Sequence, residues 1–426
     1  MSGHSTAGSP DEPPPTAGSP ATDGSDAGRV DAGAASPAVD TGDCAVPDGG
    51  TDPVLEVGVL GYRFMGKAHA NAMARLPMFF PDAPRVVRHT LIGRDEAALE
   101  EAAGRLGFAT VATDWREAID EVDVLYNLGP NHVHPGPSIA ALEADVPVLC
   151  EKPLAPTLAE AERMRDAAAD SHALAGCAFN YRFVPAIQYA KRLIDAGELG
   201  EIRQFRGSYL QDWLVDPEAP WSWRNDEELA GSGALGDLGA HTIDLARFLV
   251  GDADGGGEIE RVSGHLRTFV DERPVPGDDT PATRPVTVDD AYSAQAAFEG
   301  GAAATFEASR VATGHKNDHS IAVHGTDGSL RFSLERLNEL EVLTGDARGY
   351  ETVLVTDESD PYVDHWWPPG HVVGWEHTFV HENYEFLSAV AHGEEFHPSF
   401  EDGYRVQRVL DAIQASDETG EWVPLD

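Results

Sequence analysis

Three stretches of this chain hold side chains that could bind phosphates or move protons. The first is the turn Gly61-Tyr62-Arg63-Phe64-Met65-Gly66, set between an apolar run, Val54 to Leu60, and a run of helical spacing, Met65 to Leu76. Backbone amides at a helix N-terminus can hold a pyrophosphate there, with glycines allowing the close approach. Arg63 occupies the place of the middle glycine of G-x-G-x-x-G, so the stretch also reads as a plain tight turn. The second comprises Gly129-Pro130-Asn131-His132-Val133-His134 and Cys150-Glu151-Lys152-Pro153, at the carboxyl ends of apolar runs. Open parallel sheets bind ligands at that edge. Lys152 shares the chain with only Lys67, Lys191 and Lys316, and this depletion favours a function for it over a stray surface charge.

The third stretch runs from Gly231 to Asp244. Asp237 and His241 stand four apart at the start of an amphipathic helix and share one of its faces. By itself such a pair is a cap with a solvated contact, and a metal reading lacks a third ligand at fixed spacing. A further clue lies in Leu91-Ile92-Gly93-Arg94-Asp95, where a dinucleotide fold would end its second strand in an acid for the ribose hydroxyl. Arg94 after a small residue suits a 2′-phosphate and leans toward NADP, while Asp95 keeps NAD open. A capping Asp beside a solvated Arg is the plain alternative.

The elements that must position these groups fall into two patterns. Strands are expected at Val54 to Leu60, Val86 to Ile92, Val122 to Asn127 and Val146 to Cys150, with helices at Met65 to Leu76, Glu96 to Leu106 and Pro137 to Ala144. Such alternation argues for an N-terminal Rossmann-type α/β domain with a parallel sheet, assigned to residues 53–176. Beyond Cys177 strands come in series: Ile202 to Leu210, Ser293 to Phe298, Ala302 to Ser309, Ser320 to His324 and Leu330 to Ser333. A second, α+β domain with a mostly antiparallel sheet is expected over residues 177–426, closed by helices at Glu376 to Ala391 and Tyr404 to Ala415. Asp271 to Val288, rich in Pro, Asp and Thr, reads as a surface loop. Met1 to Asp52 has almost no large apolar residue and reads as a disordered acidic leader.

Composition narrows the partners. Against 73 acidic residues stand 30 basic ones, a net charge of −43 that disfavours nucleic acid and anionic membranes. The acids run through the expected helices as well as the leader, which points to adaptation to high salt. Cys44, Cys150 and Cys177 form an odd set with no zinc-ligand spacing, consistent with a reducing, cytoplasmic setting and no metal. No signal segment or bilayer-length apolar run is present.

Together the motifs resemble the Gfo/Idh/MocA oxidoreductase family from Pro53 to Asp426. The carriers are Gly61 to Gly66 with His69, Pro130-Asn131-x-x-His134, Glu151-Lys152-Pro153, Asn180-Tyr181-Arg182-Phe183 and Asp237-x-x-x-His241. Phe64 to His69, Pro77 to Phe80, Tyr209-Leu210-Gln211-Asp212-Trp213 and Gly231 to Asp237 are similar to its levoglucosan dehydrogenase branch. The chain departs from the family at Arg63 and Gly93-Arg94.

The resemblance implies NAD or NADP held by Gly61, Arg63, Phe64, Met65, Gly66, Arg94, Asn131, His134, Glu151 and Lys152. It implies dehydrogenation of a sugar or anhydrosugar hydroxyl, with inositol dehydrogenation and a non-catalytic cofactor-binding regulator as alternatives. Alcohol oxidation needs a proton acceptor on the oxygen while hydride leaves the carbon. His241 is assigned as the base, Lys152 as holder of the reacting hydroxyl, and Asp237 as the group that orients His241. Tyr181, Gln211 and Trp213 are assigned to the sugar's other faces. A homo-oligomer through the C-terminal sheet is also implied.

Overall fold

In the computed structural model, which describes residues 53–277 and 282–425, strand and helix alternate as far as Ala178. The succession is β1 (Val54–Leu60), α1 (Phe64–Phe79), β2 (Arg85–Ile92), α2 (Glu96–Leu106), β3 (Thr110–Ala112), α3 (Trp115–Ile119), β4 (Val124–Asn127), α4 (Pro135–Glu143), β5 (Val148–Glu151), α5 (Leu158–Asp170) and β6 (Ala175–Ala178). The strands pair in parallel in the order β3-β2-β1-β4-β5-β6. Every residue of β4 and β5 is buried, as expected of strands with helices on both faces, and this explains their continuous apolar runs. All six carboxyl ends share one edge, and the order reverses between β1 and β4. A crevice opens at such a switch point.

The chain continues through α6 (Pro185–Asp195), β7 (Ile202–Leu210), α7 (Glu227–Ala230), α8 (Ala240–Val250), β8 (Ile259–Arg267), β9 (Glu272–Pro274), β10 (Thr283–Pro285), β11 (Ala291–Phe298), β12 (Ala303–Ser309), β13 (Asp318–Gly325), β14 (Ser329–Ser333), β15 (Glu339–Leu343), β16 (Glu351–Leu354), α9 (His377–His392), α10 (Phe400–Thr419) and β17 (Val423–Pro424). Nine of these strands form one sheet, β16-β15-β14-β13-β7-β12-β11-β8-β17, antiparallel except where β7 meets β12. Burial alternates along β11 and β12. The apolar face packs on α8 and α10, and the polar face stays open.

The segment Asp271 to Val288 is not wholly irregular, because β9 and β10 pair antiparallel within it. Its Pro and Thr content masked two three-residue strands too short to show a period. The expected leader, Met1 to Asp52, lies outside the described residues. Among the described residues no helix is long and apolar enough to cross a membrane.

Candidate active site

The phosphate cradle is built by two glycines. Gly61 has φ +106°, and a Cβ there would lie 2.7 Å from the Leu128 carbonyl oxygen. A Cβ on Gly66 would lie 2.0 Å from the Gly61 carbonyl oxygen. Only glycine lets the start of α1 close onto the end of β1, which brings the first amides of the helix to the carboxyl edge of the sheet. Arg63 precedes α1 without making a side-chain cap, so the first amides of the helix stay free of one. Phe64, 65% exposed, stacks on Trp375 at 5.5 Å between centroids, and Met65 is half-buried behind it. At the end of β2, Asp95 is engaged as the N-cap of α2, accepting from the Ala98 amide at 3.2 Å. Exposed Arg94 is the charge left facing outward there.

Two residues assigned to the cofactor do other work. His134 is fully buried, with its ring nitrogens 3.0 Å from the carbonyl oxygens of Pro153 and Gly129. Its neutral ring can donate to only one of these carbonyls, and it packs between the loops after β4 and β5. Asn131 is 8% exposed and donates to the Ala230 carbonyl at 2.9 Å, tying the same edge to α7. Spacing alone could not separate loop fasteners from ligands, since both stand at strand ends.

Lys152 emerges from β5 with its side chain 14% exposed. Its Nζ donates to the Asp237 main-chain oxygen at 2.9 Å and approaches Asp237 Oδ1 at 3.4 Å. Burial pushes the Asp237 carboxyl up, but the nearby charges of Lys152, Arg224 and Arg310 outweigh it and hold the group below its ordinary value. Asp237 therefore serves Lys152, and no hydrogen bond joins it to His241 among the described residues. Asp237 lies within a π-helical turn, Leu235–Gly239, that runs straight into α8. Asp289 holds this turn by accepting from the amides of Gly233 (2.6 Å) and Leu235 (2.9 Å).

His241 sits in the first turn of α8, 7% exposed, and among the described residues its Nδ1 has no hydrogen-bond partner. Burial, then the positive charge of Lys152, then His319 keep its pKa well below the ordinary histidine value. The imidazole is neutral at physiological pH and able to accept a proton. Tyr181 packs against it at 4.6 Å. The neighbouring Arg182 makes this possible by gripping the buried Asp244 of α8 through Nε (2.9 Å) and Nη2 (2.6 Å).

From Tyr181 a hydrogen-bonded chain runs across the sheet. Its hydroxyl meets that of Tyr209 at 2.8 Å, Tyr209 donates to Asn317 Oδ1 at 2.7 Å, and Gln211 donates to the same oxygen at 2.7 Å. Trp375 donates to the Tyr181 hydroxyl at 3.3 Å. Trp213 is 45% exposed at the rim beside Arg310. Tyr209, though part of a quoted motif, was given no site role, and Asn317, His319 and Trp375 were not anticipated. The register of β7 on β13 sets His319 opposite Tyr209, and their rings stack at 4.5 Å. No local spacing carries that information, because the two strands are paired only in the folded sheet.

A dinucleotide cradle at a switch point, a lysine–aspartate pair and a neutral buried histidine together define an alcohol-oxidising, nicotinamide-dependent enzyme class. Comparison with known proteins agrees. The family profile described as oxidoreductase family, NAD-binding Rossmann fold, matches residues 55–179, and that of the GFO/IDH/MocA C-terminal domain matches residues 187–331. Levoglucosan dehydrogenase of Pseudarthrobacter phenanthrenivorans is 42% identical over 389 residues, 87% of this chain and 98% of that one. A crystal structure of an oxidoreductase domain protein from Kribbella flavida is 46% identical with a TM-score of 0.82, covering 87% of this chain and 98% of that one. A levoglucosan dehydrogenase structure in complex with NADH and levoglucosan is 41% identical with a TM-score of 0.83, covering 88% and 100%. The chain belongs to the Gfo/Idh/MocA oxidoreductase family.

Proposed function

We propose that this enzyme oxidises a secondary hydroxyl of a sugar or anhydrosugar, with levoglucosan the leading substrate. The observation that carries the reading is the convergence of Lys152, Asp237 and neutral His241 beside the Tyr181–Tyr209–Asn317–Gln211 chain. An inositol 2-dehydrogenase from Rhizobium meliloti is 27% identical, so the anhydrosugar reading stands ahead of the cyclitol one.

The Gly61–Gly66 turn and the end of β2 would hold a nicotinamide dinucleotide, which would supply the hydride acceptor that no side chain can provide. Lys152 Nζ, already oriented by Asp237, donates to the reacting hydroxyl and favours its alkoxide character. His241 takes the hydroxyl proton as the C–O bond becomes a carbonyl. Gln211 and Asn317 offer amide groups to the remaining hydroxyls, and Trp213 lies under the apolar face of the ring. Arg94 leans the cofactor preference toward NADP, since Asp95 is committed as a cap.

The open face of the nine-stranded sheet carries both signs of charge, Arg206, Arg331 and Arg336 with Glu307, Glu339 and Glu341. We infer that it meets a second copy of the chain, since such a face is self-complementary. A cytoplasm of high salt fits the acidic composition and the buried free thiols of Cys150 and Cys177. The test of function is a screen of levoglucosan, aldoses and inositols in molar salt with each cofactor. Substrate-dependent reduced nicotinamide with levoglucosan supports the reading, and turnover of inositols alone would replace it.

A further inference from the structure

Behind Lys152, the parallel sheet and α9 enclose buried polar side chains that the reaction as described leaves unused. His69 of α1 is completely buried. Its ring stands edge-on to Tyr126 at 5.4 Å and to Phe379 at 5.3 Å. Asn383 of α9 gives one amide hydrogen to the Phe379 carbonyl (2.7 Å) and directs the other at His69 Nδ1 (3.0 Å). A carbonyl can only accept, which fixes Nδ2 as the nitrogen facing it. Nδ1 of His69 is then the acceptor, and the neutral ring carries its proton on Nε2.

Among the described residues that Nε2 has no hydrogen-bond partner, and a buried donor without one is costly. Glu151 Oε1 lies 3.7 Å away. Glu151 is only 6% exposed, and its other oxygen accepts the backbone N–H of Lys152 at 3.1 Å. The orphaned donor therefore faces the carboxylate that holds the lysine's main chain. The gap exceeds a hydrogen bond, as such contacts often do before a ligand closes the site.

We propose that Asn383, His69 and Glu151 form a relay from α9 to the backbone of Lys152, in which His69 and Asn383 are positioning residues that hold the ammonium in register. The relay gives α9, an element with no group in the reaction, a direct hold on the reacting lysine. It rests on the role given to Lys152 above. The alternative is that His69 is only a packed ring, and the two readings differ in what they ask of its nitrogens.

Two substitutions separate them. In His69→Gln the side-chain amide reaches the place of Nε2 and can still donate to Glu151. In His69→Asn it reaches only the place of Nδ1 and cannot. Both lose the ring, and Asn leaves the larger gap at this buried site, so a cavity effect appears as a lower melting temperature in His69→Asn. The relay predicts that His69→Asn lowers kcat by about 10–100-fold while His69→Gln loses less than about tenfold, with equal cofactor Kd and with the contrast kept at temperatures where both variants are fully folded.

A second readout needs no turnover. The chain has four lysines, so reductive methylation with 13C gives few signals, and Lys152→Met identifies that of Lys152. Its resonance should move in His69→Asn and stay in place in His69→Gln. A parent silent toward every polyol but showing this NMR contrast would overturn the proposed function and leave the relay standing. Equal kcat losses and equal spectra in the two variants would overturn the relay.

Discussion

Lys152→Met should abolish turnover while leaving the fold and the dinucleotide site intact. Methionine keeps most of the apolar contacts of the stem, so lost packing cannot explain a loss of rate. What disappears is the ammonium that touches Asp237 at 2.9 Å and 3.4 Å and is aimed at the substrate oxygen. Removing one donor that stabilises a developing oxyanion in a water-poor site costs roughly 2.7–4 kcal/mol, or about 10²–10³ in kcat. Asp237 then keeps only Arg224 and Arg310 against its burial, and its pKa should rise. Lys316→Met is the control, since that side chain is 76% exposed and pairs with Asp212 on the surface. The assay is reduced-nicotinamide absorbance for kcat and tryptophan quenching for cofactor binding. A Lys152→Met enzyme within a few-fold of Lys316→Met would refute the reasoning.

His241→Ala should lower kcat by about 10²–10⁴ with cofactor affinity retained, as loss of a general base does. Burial, Lys152 and His319 depress the His241 pKa, so the acid limb of the parent's kcat/KM profile should fall well below the ordinary histidine value of 6.5; a limb at or above that value argues for another base. Glu382 is fully buried, with neither carboxyl oxygen hydrogen-bonded among the described residues, and burial followed by Glu151 and Asp244 raises its pKa well above 4.5. Below that pH both states hold the proton, and as pH rises the unfolded chain releases it while the native one does not, so the parent loses stability. The melting-temperature advantage of Glu382→Gln should grow as pH rises above 4.5, and a gap independent of pH would contradict this. Arg94→Ala should weaken NADP roughly 10–100-fold, the worth of a charge-assisted phosphate contact, and barely change NAD; parallel losses in fluorescence titration would remove Arg94 from the phosphate site.

Much of this was legible before folding because the signal was local. The apolar run Val54 to Leu60 is β1 residue for residue, and the capped, periodic stretch Glu96 to Leu106 is α2. Lys152 stood out through the depletion of lysine elsewhere. What stayed hidden depends on chain segments meeting at long range. Asp237 was expected to turn toward His241, yet it pairs with Lys152, 85 residues earlier in the chain, a contact that no local spacing carries. His319 was placed outside its strand because β13 begins at Asp318, before the apolar alternation becomes visible. Its partnership with Tyr209 exists only through the β7–β13 register. Asn131 and His134, assigned to the cofactor from their place at the edge, also make contacts within that edge, which spacing could not show.

The most direct test of the account supplies levoglucosan with NAD or NADP in molar salt to the parent and to His241→Ala and Lys152→Met, and follows the absorbance of the reduced nicotinamide. The account predicts levoglucosan-dependent reduction by the parent and its near-complete loss in both variants, each of which still binds the cofactor. Undiminished reduction in either variant, or none by the parent with any sugar or anhydrosugar, would contradict it.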